Sequence, residues 1–334
     1  MEILNNTQFK VEALPYKWPD KKNFLTVVVK GTFNFNNKEV LQAEKQIPIA
    51  FGDELYENET EGLIKFESDI APFKPKADIV LVGNAYTYDN QSVTSLETSL
   101  QVGSIKKELQ IFGDRYWKRK KITDPISFQK MELKYNRSFG GVDKNTGEYC
   151  KQNLAGVGFF SHKSKALIEK HPLPNIEDPK NLISSWKDHP YPAGYGFCSK
   201  SWMPRIGYIG TYDDEWRKKH SPDLPEDFNF MYFNAAHIDL QFEGYLNGNE
   251  KVEIVNIAPP PHKYIDFFLP DIKIDCQAFI KQENNDISSK KILMNIDTVC
   301  FIPDQLQFYL IWRGIYEIKD LSALEVENVI VNLC

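Results

Sequence analysis

The acidic run Asp213-Asp214-Glu215 stands beside Trp216, and Glu226-Asp227 precedes Phe228. Carboxylates paired beside an aromatic ring are the equipment of glycoside hydrolysis, where one acts as acid and the other as base or nucleophile. The same residue types cap helices and turns, and that role is favoured for Asp213 and Asp227. The stretch Gly156-Val157-Gly158-Phe159-Phe160-Ser161 lacks the third glycine of a dinucleotide fingerprint and follows no convincing strand. The chain has no P-loop and no GxSxG elbow. Its histidines (His162, His171, His189, His220, His237 and His262) form no HxH, HExxH or helical-spacing pair. His171, His189, His237 and His262 lie near prolines or turn residues, which reads as surface loop. Cys150, Cys198, Cys276, Cys300 and Cys334 are odd in number, widely spaced and without a CxxC pair. That pattern suits free thiols in a reducing cytoplasm better than a disulfide framework or a structural zinc site. The expectation is a protein that is not an enzyme, with no catalytic residue, no metal and no cofactor.

The elements that must carry these residues read as strands. Phe24 to Phe35 puts Leu25, Val27, Val29, Phe33 and Phe35 on one face and Thr26, Lys30, Thr32 and Asn34 mostly on the other. Period two predicts a half-buried strand. Ile79-Val80-Leu81-Val82-Gly83 reads as a strand buried on both faces. Thr94–Val102, Gly103-Ser104 and Ile105–Phe112 predict a hairpin with a type II′ turn, since glycine suits its first turn position. A second hairpin is predicted from Ile292, Met294, Ile296, Cys300 and Ile302 through Pro303-Asp304-Gln305 to Leu306, Phe308, Leu310 and Trp312. Shorter strands are expected at Val252–Ile257, Tyr264–Leu269 and Ile272–Ile280. Between about Gly140 and Asp227 proline, glycine and aromatics crowd together, with short helices at Asn181–Lys187 and Asp213–His220. The fold class expected is mainly β, an antiparallel sandwich-like or barrel-like framework with a long irregular Pro/Gly/aromatic-rich insertion. Residues 1–314 form one domain in this reading: N-terminal strands over 1–139, the insertion over 140–240 and C-terminal strands over 241–314. Residues 315–334 are a tail whose Val329-Ile330-Val331 could add an edge strand.

At 334 residues with 42% hydrophobic residues, the chain can bury a large core without disulfide staples. A net charge of −6 disfavours nucleic acid as a partner. The basic run Lys118-Arg119-Lys120-Lys121 reads as a solvated turn. Met1 to Asn6 shows no signal-peptide pattern, and no window is apolar enough to span a membrane, so a cytoplasmic location is expected.

A ladder of short motifs mixes glycine, proline, aromatics and charges. It begins with Lys30-Gly31-Thr32-Phe33, Ser68-Asp69-Ile70-Ala71-Pro72-Phe73-Lys74-Pro75-Lys76-Ala77-Asp78 and Phe112-Gly113-Asp114-Arg115-Tyr116-Trp117. It continues through Arg137-Ser138-Phe139-Gly140-Gly141-Val142-Asp143, Leu173-Pro174-Asn175-Ile176-Glu177-Asp178-Pro179, Pro192-Ala193-Gly194-Tyr195-Gly196 and Trp202-Met203-Pro204-Arg205. Gly210-Thr211-Tyr212-Asp213-Asp214-Glu215-Trp216, Leu224-Pro225-Glu226-Asp227-Phe228, Phe233-Asn234-Ala235-Ala236, Asp297-Thr298-Val299 and Trp312-Arg313 close it. In order and wording this ladder resembles a bacterial family, domain of unknown function 2169, encoded beside type VI secretion effectors. The resemblance covers about Thr7 to Gly314. Asn153-Leu154-Ala155-Gly156 departs from it, since that motif commonly begins with an asparagine-proline pair.

The resemblance implies a cytoplasmic adaptor or chaperone that helps load a secreted effector, often through a PAAR-like tip module, onto the VgrG spike. An adaptor needs rigid aromatic and arginine anchors on its surface. The candidates are Arg115, Trp117, Arg137, Phe139, Trp202, Arg205, Tyr212 and Trp216. Each also has a structural use, as a core plug or a loop tie. Arg115 or Arg137 is expected to pair with Asp143 or Asp213 and hold the irregular region on the sheets. The alternatives are a carbohydrate-binding or glycoside-hydrolase-like β protein, or a structural component of the secretion machine.

Overall fold

A computed structural model describes residues 1–57, 62–89, 91–161, 168–281, 286–319, 321 and 325–334. His162 lies outside the described residues. In chain order the framework strands are β1 (Glu2–Asn5), β2 (Lys10–Lys17), β3 (Asn23–Asn36), β4 (Glu39–Gln42), β5 (Ala77–Leu81), β6 (Ser95–Val102), β7 (Ile105–Phe112) and β8 (Ile176–Glu177). They continue with β9 (Gln241–Phe242), β10 (Lys251–Val255), β11 (Tyr264–Phe268), β12 (Ile274–Lys281), β13 (Ile287–Ile292), β14 (Asn295–Ile302), β15 (Gln307–Ile318) and β16 (Val326–Leu333). Among the described residues the single α-helix is α1 (Asp214–Lys219).

The strands form three open sheets, and none of them closes into a barrel. A seven-stranded sheet runs β9-β5-β14-β15-β3-β2, with β4 also on β3. A five-stranded sheet runs β8-β7-β6-β10-β11, and a four-stranded sheet β1-β16-β12-β13. Within these sheets β5 with β14 and β1 with β16 are parallel. All three sheets contribute to one core, from Val27 and Val29 through Leu100 and Ile254 to Ala278 and Val329. Phe267 of β11 stacks on Phe35 at 5.0 Å and on Phe308 at 5.5 Å, which joins the five-stranded sheet to the seven-stranded one.

The β6–β7 hairpin forms as its sequence predicts, with φ of 56° at Gly103. Asp213 caps α1 by accepting from the Trp216 amide at 2.8 Å. The basic run is a tight turn with positive φ at Arg119 and Lys120. Several expectations are corrected. Strand β3 is not half-buried, for Thr26, Lys30 and Thr32 are as enclosed as the apolar face. Segments around Gln46 and around Pro72 cover that second face: Thr26 donates to the Pro72 carbonyl, and Gln46 bonds both the amide and the carbonyl of Thr32. The second hairpin starts only at Asn295, because Ile292 belongs to β13, which pairs with β12. Asn181–Lys187 is not helical. Carboxylates take its amides instead: Asp188 accepts from Ser184 and Ser185, and Glu177 from Ile183. Strand β16 is interior, not an edge, since β1 pairs along its outer side.

The charges of the ladder are mostly buried, and they pair with one another. Lys30 Nζ reaches Asp69 at 2.7 Å, and both side chains are at most 3% exposed. Lys74 bonds Asp78 at 2.8 Å and Thr298 at 3.0 Å. Asp78 also accepts from the amides of Ala235 and Ala236, which pins the irregular region to β5. Arg205 grips Glu67 with two bonds, at 2.6 and 2.8 Å. Arg313 bonds Asp297 at 2.5 Å and donates to the Asp69 and Ala71 carbonyls. A bulge between Ile296 and Thr298 sets Asp297 opposite that arginine. A charge stripped of water keeps its favourable energy only while its partner and hydrogen bonds stay in place. Asp69→Ala should therefore cost about 3–5 kcal/mol in urea unfolding by leaving Lys30 buried and unpaired. The double change Asp69→Ala/Lys30→Met should be clearly less destabilising than Asp69→Ala alone; equal loss would contradict this account.

His237 was expected in a surface loop but is 3% exposed. Its Nδ1 accepts from the Asp239 amide at 3.1 Å, so Nε2 carries the proton and donates to the Pro192 carbonyl at 3.0 Å. Burial, then the nearby Lys107 cation, pushes its pKa down to about 4. An unfolded histidine takes a proton near pH ~6.5, so the stabilising contribution is complete above that pH. It is lost as pH falls towards 4. The wild-type protein should lose stability over that window more steeply than His237→Gln, as read by urea midpoints across pH.

Candidate functional site

Three ladder motifs meet at one cleft. The segment Lys170–Asn175 runs beside Phe112–Trp117, held by amide-to-carbonyl bonds from Trp117 to His171, Lys170 to Trp117, Leu173 to Arg115 and Phe112 to Asn175, at 2.7–3.0 Å. On its other side the Asn175 amide donates to the Arg137 carbonyl at 2.8 Å, and Ser138 bridges Ile176. Asn175 is the knot: its Nδ2 donates to the Phe112 carbonyl and to Asp114, and its Oδ1 accepts from Arg137 at 3.3 Å. Gly113 is required here, because a Cβ would stand 1.6 Å from the Ile126 carbonyl oxygen. Gly141 has φ of 91° and also passes a carbonyl too closely for a side chain, with 2.4 Å from a Cβ to the Gly156 oxygen.

The cleft so formed has a volume of about 710 Å³. Tyr116, Val157, Pro172 and Leu173 supply apolar surface, and Asp114, Arg115, Arg137 and Lys170 supply charge. Arg115 lies in the wall, paired with Glu177, bonded to the Pro174 carbonyl at 3.0 Å and stacked over Phe112 at 3.7 Å. Burial holds the Glu177 carboxyl above the usual carboxylate range, against the pull of Arg115. Arg137 is about one-third exposed and reaches into the open space.

The eight sequence-derived anchors fall in four places. Arg115 and Arg137 share the cleft. Trp117 and Phe139 are buried in a small core with Cys150, Phe160, Ile168 and the cleft residue Leu173. Trp202 plugs a third core with Leu63 and Tyr135, and Arg205 is enclosed with Glu67. Tyr212, 45% exposed, meets the half-buried Trp216 of α1 edge-on, with ring centres 4.6 Å apart, away from the cleft. Five of the eight, then, are not surface anchors: Arg115, Trp117, Phe139, Trp202 and Arg205 are at most 7% exposed. Large rings and paired guanidinium groups were more valuable inside, where they fill space or neutralise acids. The expected partners of Arg115 and Arg137 also differ. Asp143 accepts from Asn145 and Ser161, and Asp213 caps α1. Asn175 stands within a ladder motif but nothing in its residue type marks it as the knot, and the positive φ of 64° at Lys170 leaves no trace in residue type.

The acids beside Trp216 are spent on local structure. Asp214 pairs with Arg217, Glu215 with Lys219, and Asp227 accepts from the Thr211 amide and hydroxyl. Burial pushes the Cys276 and Cys300 thiols up to about 12, so they stay protonated at neutral pH. Among the described residues no group of three or more His, Cys, Asp or Glu is placed to hold a metal ion, and no helix is long and apolar enough to cross a membrane.

Fold and cleft together define a mainly-β protein whose irregular excursion is tied back onto its sheets by buried ion pairs. A family model described as "Uncharacterized protein conserved in bacteria (DUF2169)" matches residues 20–313, and the chain belongs to that family. No curated protein and no solved structure matches the chain.

The two cleft arginines should separate in mutagenesis. Arg115→Ala uncovers a buried Glu177 and should cost about 3–5 kcal/mol in urea unfolding. Arg137→Ala removes a partly exposed contact and should stay within about 1 kcal/mol. Equal losses would show that the wall pair is not the one that matters for folding.

Proposed function

We propose that the protein is a cytoplasmic adaptor that binds a type VI secretion effector, or its PAAR-like tip module, and promotes loading onto the VgrG spike. It acts in this reading by stoichiometric binding, without catalysis. The observation that carries the proposal is the convergence of three ladder motifs on one open cleft. Those motifs belong to the same ladder that carries the family resemblance. Here they build surface as well as core. An apolar floor with few, fixed polar groups is how proteins hold a ligand or a partner segment.

The sheet edges favour the cleft over strand addition as the mode of contact. Pro15 sits in the edge strand β2, and Lys290 and Lys291 lie in the edge strand β13. Prolines and lysines are the usual devices that keep another chain from pairing with an edge. Along β11 the Lys38 amide already donates to the Asp266 carbonyl at 2.9 Å.

Co-expression with the effector and spike proteins encoded beside its gene is the direct test. A stoichiometric complex on size-exclusion chromatography is expected with an effector or tip module. Failure to bind any neighbour-encoded effector or spike protein would sink the proposal.

A further inference from the structure

The cations of the cleft are not used up by the fold. A guanidinium offers five N–H donors. In Arg137 these make one hydrogen bond, to Asn175 Oδ1 at 3.3 Å. Its Nε is buried with no partner. The nearest acid, Glu132, is 3.9 Å away and already holds Lys134 at 3.0 Å. Lys170 is exposed, and among the described residues its Nζ has no ion-pair or hydrogen-bond partner. Its positive φ, rare for a residue with a Cβ, marks a backbone held in place by the bond to Trp117. Arg115, by contrast, is neutralised by Glu177, while Asp114, held by the neutral Asn175 amide, keeps its negative charge and offsets one of the two remaining cations. The charge left over on the cleft is therefore positive, in a protein whose net charge is −6.

We infer that the cleft binds an extended, acidic segment of a polypeptide. Arg137 and Lys170 would receive its carboxylates, and a neighbouring aliphatic side chain would rest on Tyr116, Val157, Pro172 and Leu173. Charge complementarity selects an acidic occupant, since unspent arginine donors match a carboxylate in a two-pronged bond. The apolar floor selects a polypeptide over a bare inorganic anion, which would leave Tyr116, Val157 and Pro172 uncovered. The volume of about 710 Å³ lies within the usual span for binding sites, about 300–1,000 Å³. The inference deepens the adaptor reading by naming the chemistry its partner must present.

The test does not depend on any effector. A phage-displayed library of random 12-residue peptides is selected on the full-length protein, and the enriched peptides are re-measured as synthetic peptides by fluorescence anisotropy. Expected are sequences with two or more Asp or Glu next to Leu, Ile or Val. Their binding should weaken about tenfold or more in Arg137→Ala/Lys170→Ala. It should weaken as salt rises, and vanish when the acids become Asn and Gln. Should the double variant fold poorly, Lys170→Glu, a change at an exposed side chain, should give the same loss. Enriched peptides without excess acid, peptides that bind the variants equally, or no enrichment would overturn the inference. So would displacement of the peptides by millimolar inorganic phosphate with no dependence on their aliphatic residues. An effector that co-purifies equally well with the double variant would leave the adaptor reading standing on another face and remove this one.

Discussion

The stretch from Glu67 to Asp78 carries four charged side chains that the fold encloses: Glu67, Asp69, Lys74 and Asp78. Pro72 and Pro75 bias it towards extended backbone, so it cannot coil away and satisfy itself as a helix. Its partners come from everywhere else: Lys30 from β3, Thr298 from β14, Arg313 from β15, and Arg205 and the Ala235–Ala236 amides from the irregular region. None of these partners lies close in sequence except Lys74 to Asp78. A desolvated charge without its partner is among the costliest defects a fold can hold. Sheet and excursion are therefore committed together. The seven-stranded sheet is buried on its second face only once this segment lies across it, and the segment is tolerable there only once the excursion has returned.

That dependence explains which features could be read along the chain. Alternation and turn chemistry are local, so β6, Gly103 and β7 emerge from their own residues, as does the Asp213 cap on α1. Strand β3 is legible as a strand but not in its burial. Thr26, Lys30 and Thr32 look like a wet face because nothing local announces that Gln46 and Pro72 will cover them. Asn181–Lys187 has helical composition, yet the Asp188 and Glu177 carboxylates outbid the helix for its amides. His237 has the neighbours of a loop residue and the surroundings of a core residue.

The motif ladder behaves in the same way. Its charges read equally well as contact residues or as fold residues, because a guanidinium that ties a loop and one that grips a partner look alike in sequence. Separation came from distance across the chain: Glu177 stands far beyond Arg115, Glu67 far before Arg205, and each closes a buried pair. Arg137 was the exception that kept its donors. The floor of the cleft, from Tyr116 to Pro172 and Leu173, was invisible because it exists only where two segments align their backbones.

The pairing of β1 with β16 has a mechanical side. Glu2 lies beside Asn328 and Asn5 beside Val331, with the two strands pointing the same way. Force applied between the outer ends, at Glu2 and at Leu333, would drag the strands lengthwise past each other. The rungs between them would then bear the load together instead of opening one after another. Because β16 is also locked to β12 on its far side, that load spreads into the four-stranded sheet. Pulled at those two points, the molecule resists by shear, while the same sheet pulled sideways at β13 would unzip.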